Sequence, residues 1–230
     1  MTVPEGYNLF QIADLLAARG VVRRDRFLRL ATDARFAALH GVPRPSFEGF
    51  LFPDTYLLSR GMSEEDVILL MWHRFQEVYA RYAPRARQVG LDVGQVVTLA
   101  SLVEAEAMRS EEKPIIAAVF LSRLRRGMRL ESDPTVRYAL RKFRGSLTRR
   151  DLATPSPYNT YRVWGLPPTP ICCPGEESIR AVLWPAKVDY LFFVSRNDGT
   201  HHFSRTYREH LWAVRRYQRG LKVRRTATSR

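Results

Sequence analysis

Apolar positions recur at helical spacing through most of this chain. Leu9, Ile12, Ala13 and Leu16 form one stripe that ends at Gly20, so a helix is expected over LFQIADLLAARG. RDRFLRLATDARFAALHG repeats the pattern as far as Gly41. Ser63 and Asp66 make a capping box for a long amphipathic helix, EEDVILLMWHRFQEVYARYA, expected to stop at Pro84. Two more helices are expected over Gly94–Met108 and over KPIIAAVFLSRLRRG, which has Pro114 near its start and Gly127 at its end. A short one follows in ESIRAVLWP, and Thr206 with Glu209 caps a last one, REHLWAVRRYQRG. Period-two apolar runs occur only near the C-terminal end. DYLFFVSR and HHFSR flank Asn197-Asp198-Gly199, the signature of a hairpin.

Two segments break this rhythm. PRPSFEGFLFPDTYLLSR, from Pro43 to Arg60, is punctuated by Pro and Gly and carries four aromatics. TPSPYNTYRVWGLPPTPICCPG, from Thr154 to Gly175, holds prolines at 155, 157, 167, 168, 170 and 174, which exclude both helix and central strand. A structureless run of that length inside a compact domain is usually functional. The expected fold is therefore α+β, with a helical core and a small antiparallel sheet. The expected divisions are 1–60 as an N-terminal lobe, 61–217 as a catalytic domain and 218–230 as a basic tail.

The formal net charge is +14, and it favours an anionic partner: nucleic acid, a membrane surface or an acidic cell-wall polymer. Part of the excess sits in the tail, at Arg215, Arg216, Arg219, Lys222, Arg224, Arg225 and Arg230, where a solvated chain end explains it equally well. No nucleic-acid-binding motif accompanies the charge. The two cysteines, Cys172 and Cys173, are adjacent, so they lack metal-site spacing and are expected to be free thiols.

The candidate chemistry lies in GQVVTLASLVEAEAM. One helical face around Glu104 carries Val97, Ala100, Ser101 and Met108. A carboxyl on such a face is desolvated and suited to general-acid work, with a surface glutamate as the plain alternative. Glu106 lies two positions on, about 200° round the helix, and is read as structural. Asp133, before Pro134, can reach a substrate or cap a helix. Tyr158, Asn159 and Tyr161 offer stacking and hydrogen bonds for sugar rings, or stabilise their own loop.

Seven segments in order resemble the endolytic murein transglycosylases, the YceG-like family: PEGYNLFQIADLL, EGFLFPDTYLL, TLASLVEAEA, AAVFLSRLRRGMRLESDPTVRYAL, SPYNTYRVWGLPPTPI, PAKVDYLFFVSR and HHFSRTYREH. The resemblance implies a lyase that cleaves the MurNAc–GlcNAc bond inside nascent peptidoglycan strands and leaves 1,6-anhydro-MurNAc ends. It places the single catalytic acid/base on Glu104, and Asp133, Tyr158, Asn159 and Tyr161 are the substrate-binding residues expected beside it. It calls for no metal or cofactor and no nucleic acid. The implied partners are peptidoglycan glycan strands and peptidoglycan synthases. The implied location is the outer side of the cytoplasmic membrane, through an N-terminal anchor absent from this chain. His201 and His210 match family histidines and are read as structural. Cys173 and Thr169 replace a family Asn and Gly in the Pro-rich loop, where a substrate groove is expected. A hydrolase that pairs Glu104 with Asp133 is the competing enzyme reading.

Overall fold

The helices begin where short polar side chains can take up orphan backbone N–H groups. In the computed structural model, which describes residues 1–59 and 61–219, Asn8 caps α1 (Leu9–Ala18) in a reciprocal box with Gln11. The expected single helix up to Gly41 is two: α2 (Arg24–Ala31) ends at Thr32, and Asp33 caps α3 (Ala34–Leu39). An Asp at that point accepts the Arg35 and Phe36 N–H groups, so the backbone turns instead of continuing. Ser63 and Asp66 start α4 (Glu64–Ala80) as expected. Pro84 does not end it; that proline lies in the first turn of α5 (Ala83–Gln88).

The central helix is α6 (Val93–Glu106), capped by Asp92 and Gln95. Nine of its residues are buried, from Gly94 to Val103, on every side of the helix, as fits an element that packs on both α7 (Lys113–Arg125) and α10 (Glu176–Leu183). A 3-10 turn, Ser110–Glu112, joins α6 to α7. Next come α8 (Asp133–Leu140) and the short α9 (Arg149–Leu152). Residues 153–175 form neither helix nor strand.

The hairpin is β1 (Phe192–Ser195) paired antiparallel with β2 (His201–Ser204), Phe193 opposite Phe203. Asn197 and Gly199 take positive φ of 65° and 85° in its turn. Helix α11 (Tyr207–Val214), with its Thr206–Glu209 box, packs on both strands and runs into a π-helical turn, Arg215–Arg219. The fold is α+β. Most of the basic tail expected at 218–230 lies outside the described residues.

The core does not divide at residue 60. One continuous apolar cluster includes Leu9, Phe27, Phe50, Phe75, Val97, Phe120 and Ile179. Phe50 meets Trp72 and Phe75 edge-on at 5.9 and 5.2 Å. At Gly49, φ is +85° and an added Cβ would lie 2.3 Å from the Pro170 ring, so the aromatic-rich connection presses against the Pro-rich loop. Gly6 and Tyr7 also exchange backbone hydrogen bonds with Cys173 at 2.9 and 2.8 Å.

Candidate active site

Glu104 and Glu106 leave the end of α6 in different directions, and their surroundings differ accordingly. The Glu104 carboxylate is held chiefly through Oε2. It accepts from Lys113 Nζ at 3.2 and 3.3 Å, from the Gly175 N–H at 3.0 Å and from Ser178 Oγ at 2.6 Å. Gly175 and Ser178 belong to the first turn of α10, so Glu104 caps that helix from across the core, where the positive end of the helix favours a negative charge. Lys113 also faces Glu5 at 3.7 Å and Glu177 at 3.9 Å. Burial, then the Glu104 charge, pushes the Glu5 carboxyl above its ordinary value. The apolar surroundings expected for Glu104 are thus only half present. Val97, Ala100 and Ser101 are buried on that face, but Met108 lies beyond the helix and is exposed, and a lysine faces the carboxylate.

Glu106 opens into a cavity of about 430 Å³. It shares the wall with Asp133, Tyr161, Arg123, His201 and His210. Ser132 Oγ donates to its Oε1 at 2.6 Å. Burial pushes the Glu106 carboxyl up to about 7, against a smaller lowering by the Arg123 and Arg137 charges. The Ser132 hydrogen bond works in the opposite direction, lowering the value, and the nearby Asp133 charge adds to the rise. A carboxylic acid with these properties is half protonated at neutral pH, the condition for protonating a leaving oxygen.

The opposite walls are rigid. Asp133 is the first residue of α8, and Tyr161 OH donates to its Oδ1 at 2.7 Å. Arg123 is buried and donates to the Leu191, Leu130 and Arg129 carbonyls at 2.7, 2.9 and 3.1 Å. Its guanidinium is therefore a fixed positive element, and burial holds its pKa below the usual arginine range. His201 Nδ1 lies 2.7 Å from Glu112 Oε2. The His210 ring stacks on Phe192, with centroids 5.3 Å apart. Burial, then the Arg123 charge, lowers its pKa.

The sequence-predicted site residues therefore separate. Asp133 and Tyr161 meet at the cavity, with Glu106 in place of Glu104. Asn159 is fully buried and serves its own loop: its amide donates to the Leu152 and Thr154 carbonyls at 3.0 and 2.8 Å, and its Oδ1 accepts from the Tyr161 N–H at 3.0 Å. Tyr158 OH pairs with Thr169 Oγ1 at 2.8 Å, away from the cavity wall. Thr169 and Cys173 are buried, so the two departures in that loop face the interior. Both cysteines are free thiols, and burial raises each well above the usual thiol range. His201 and His210, which match family histidines and were read as structural, line the cavity; Arg123, Ser132 and Glu112 carried no signal in the sequence that set them at a site. Glu106 was visible, but which side of α6 the cavity occupies was not.

Residues 1–216 match the YceG-like family. This chain belongs to the YceG-like family. It is 34% identical over 232 residues to a Bacillus subtilis protein named endolytic murein transglycosylase, a match that covers 94% of this chain and 64% of that protein. A Streptococcus pneumoniae protein of the same name is 30% identical, with 85% of this chain and 40% of that protein covered. The chain thus spans about two-fifths to just under two-thirds of those relatives. The crystal structure of a YceG-like protein from Listeria monocytogenes superposes with a TM-score of 0.85 at 35% identity, over 92% of this chain and 75% of the other. No helix among the described residues is long and apolar enough to cross a membrane.

Proposed function

We propose that this YceG-like chain is a peptidoglycan lytic transglycosylase with Glu106 as its general acid. The observation that carries this reading is a carboxyl raised to about 7 on the wall of a cavity that also presents Asp133 and Tyr161. The names of its relatives in Bacillus and Streptococcus support peptidoglycan as the substrate. Glu106 protonates the glycosidic oxygen of a MurNAc–GlcNAc linkage as positive charge develops at C1. The 6-hydroxyl of the same MurNAc then closes on C1 and leaves a 1,6-anhydro end. An internal nucleophile held within bonding range of C1 replaces an activated water, so no second carboxylate has to generate one. Asp133, fixed by the Tyr161 hydroxyl, orients the polar edge of the sugar. Arg123 lends positive potential to a wall that meets an acidic polymer.

Glu104 takes a structural part in this scheme. Lys113, the Gly175 N–H and Ser178 tie its carboxylate to α7 and to the start of α10, and it does not line the cavity that Glu106 opens into. Product analysis decides between the two glutamates. Purified glycan strands incubated with wild type, Glu106→Gln and Glu104→Gln are read by mass spectrometry. Anhydro ends from wild type and from Glu104→Gln, with none from Glu106→Gln, are the expected result. Loss in Glu104→Gln alone, at an unchanged melting temperature, overturns the assignment. Reducing ends from wild type would instead make Glu106 and Asp133 a hydrolytic pair.

A further inference from the structure

Closing the 6-hydroxyl on C1 releases a proton, and the cavity holds one group built to accept it. Glu112, on the 3-10 turn after α6, grips His201 twice: Oε1 accepts the His201 backbone N–H at 2.9 Å, and Oε2 meets the ring Nδ1 at 2.7 Å. A carboxylate at that distance places the imidazole proton on Nδ1, so the neutral ring presents Nε2 as an acceptor. The ring is 8% exposed and lines the same cavity as Glu106. Among the described residues Nε2 has no hydrogen-bond partner, and it is not among the sealed polar atoms. Phe193 lies edge-on to the ring at 5.4 Å and limits its rotation. His210 lacks this arrangement: its Nδ1 is buried without a partner and no carboxylate orients it. Carboxylate, imidazole and an open nitrogen in sequence form the arrangement that activates a hydroxyl nucleophile in many enzymes.

We propose that His201 is a second catalytic residue, which takes the proton of the attacking hydroxyl through Nε2, and that Glu112 is its positioning residue. The inference rests on the transglycosylase reading of the cavity. The C1–O bond to the leaving sugar breaks and its electron pair takes the Glu106 proton. The 6-oxygen forms the new bond to C1 and its proton passes to His201. The cycle ends with Glu106 as carboxylate and His201 as imidazolium, which together hold the original proton count. Transfer from His201 back to Glu106 through cavity water resets the site. The acid and the base are thus separate groups on one wall system, and the same carboxylate need not serve both steps.

Chemical rescue tests the assignment. His201→Ala is expected to lower kcat about 100-fold with KM within about threefold, the scale of a lost general base. Added imidazole should restore activity to His201→Ala at least about tenfold, and should do nothing for wild type or for Glu106→Gln. Glu112→Gln, which keeps the side-chain shape, should lower kcat with KM unchanged and gain nothing from imidazole. His201→Asn keeps a donor near Glu112 and lacks the far nitrogen. It should lose kcat as far as the alanine variant does, and it carries the decision if the alanine variant does not fold. Wild-type kcat in His201→Asn, or a folded His201→Ala that imidazole cannot rescue, overturns the role of His201. If Glu106→Gln is also inactive, the transglycosylase reading survives that result. Full anhydro-end formation by Glu106→Gln would overturn the reading beneath it.

Discussion

At the scale of single residues, two glutamates one residue apart differ in what surrounds their carboxylates. Glu104 meets a lysine and a helix N-terminus, so removing its charge strands Lys113 in a site where it is 7% exposed. Glu104→Gln is expected to cost about 2 kcal/mol, less than a fully isolated buried pair because Glu5 and Glu177 remain near the lysine. Urea unfolding of the two proteins measures it, and activity per folded molecule should stay near wild type. Glu106 bears on the pH profile. Its folded value of about 7 lies above the ordinary 4.5, so in the proposed role it would serve as acid below about 7 and be lost to that role as pH rises. The rate of the proposed transglycosylase reaction should therefore fall along a basic limb centred near pH 7. A rate that held level to pH 9 would remove Glu106 from the role of acid.

At the scale of elements, the Pro-rich loop holds its shape through Asn159. Its side chain closes the loop onto α9, through the Leu152 carbonyl, and onto Thr154, and thereby aims Tyr161 at Asp133. Asn159→Ala would leave two carbonyls without their donor, at a cost of about 2–3 kcal/mol. The expected outcome is a clear loss of melting temperature with near-normal kcat in the molecules that stay folded. A normal melting temperature with a tenfold loss of kcat would put Asn159 back among the substrate contacts. The helical elements themselves were legible in advance because caps and stripes are local. Ser63–Asp66 and Thr206–Glu209 are reciprocal boxes in sequence and in structure alike. The break at Asp33 was also written locally, as an Asp able to cap the next turn, but the apolar period running across it concealed it.

At the scale of the whole molecule, Glu48 ties the first sixty residues to the rest. Its carboxyl, 1% exposed, accepts from the Leu9 N–H at the start of α1 and from Tyr138 OH on α8 at 2.8 Å. Burial lifts it to about 8. A carboxyl raised from 4.5 in this way favours folding at low pH, and that advantage is lost as pH climbs from about 4.5 to about 8. Glu106 contributes with the same sign up to about 7. Wild type should therefore be less stable at pH 9 than at pH 5. Glu48→Gln should flatten that slope, and be the more stable of the two proteins at pH 9 in denaturant melts. An identical slope in both would mean that Glu48 is already ionised in the folded protein.

What the sequence determined by itself is what depends on neighbours along the chain. Caps, apolar periods, the Asn197-Asp198-Gly199 turn and the proline-barred loop each follow from steric and hydrogen-bonding rules within a few residues. The order of seven motifs added the family. The 200° separation of Glu104 and Glu106 was also a local fact, since it follows from helix geometry alone. Which of them faces open space was not, because that depends on partners far along the chain. Ser178 and Lys113 close round Glu104, whereas Asp133, Tyr161 and the hairpin with His201 leave room beside Glu106. Sequence pattern ranks a carboxylate by the apolar residues on its own helix. Its protonation is decided by the charges and cavities that other elements bring to it, and only the tertiary structure sets those.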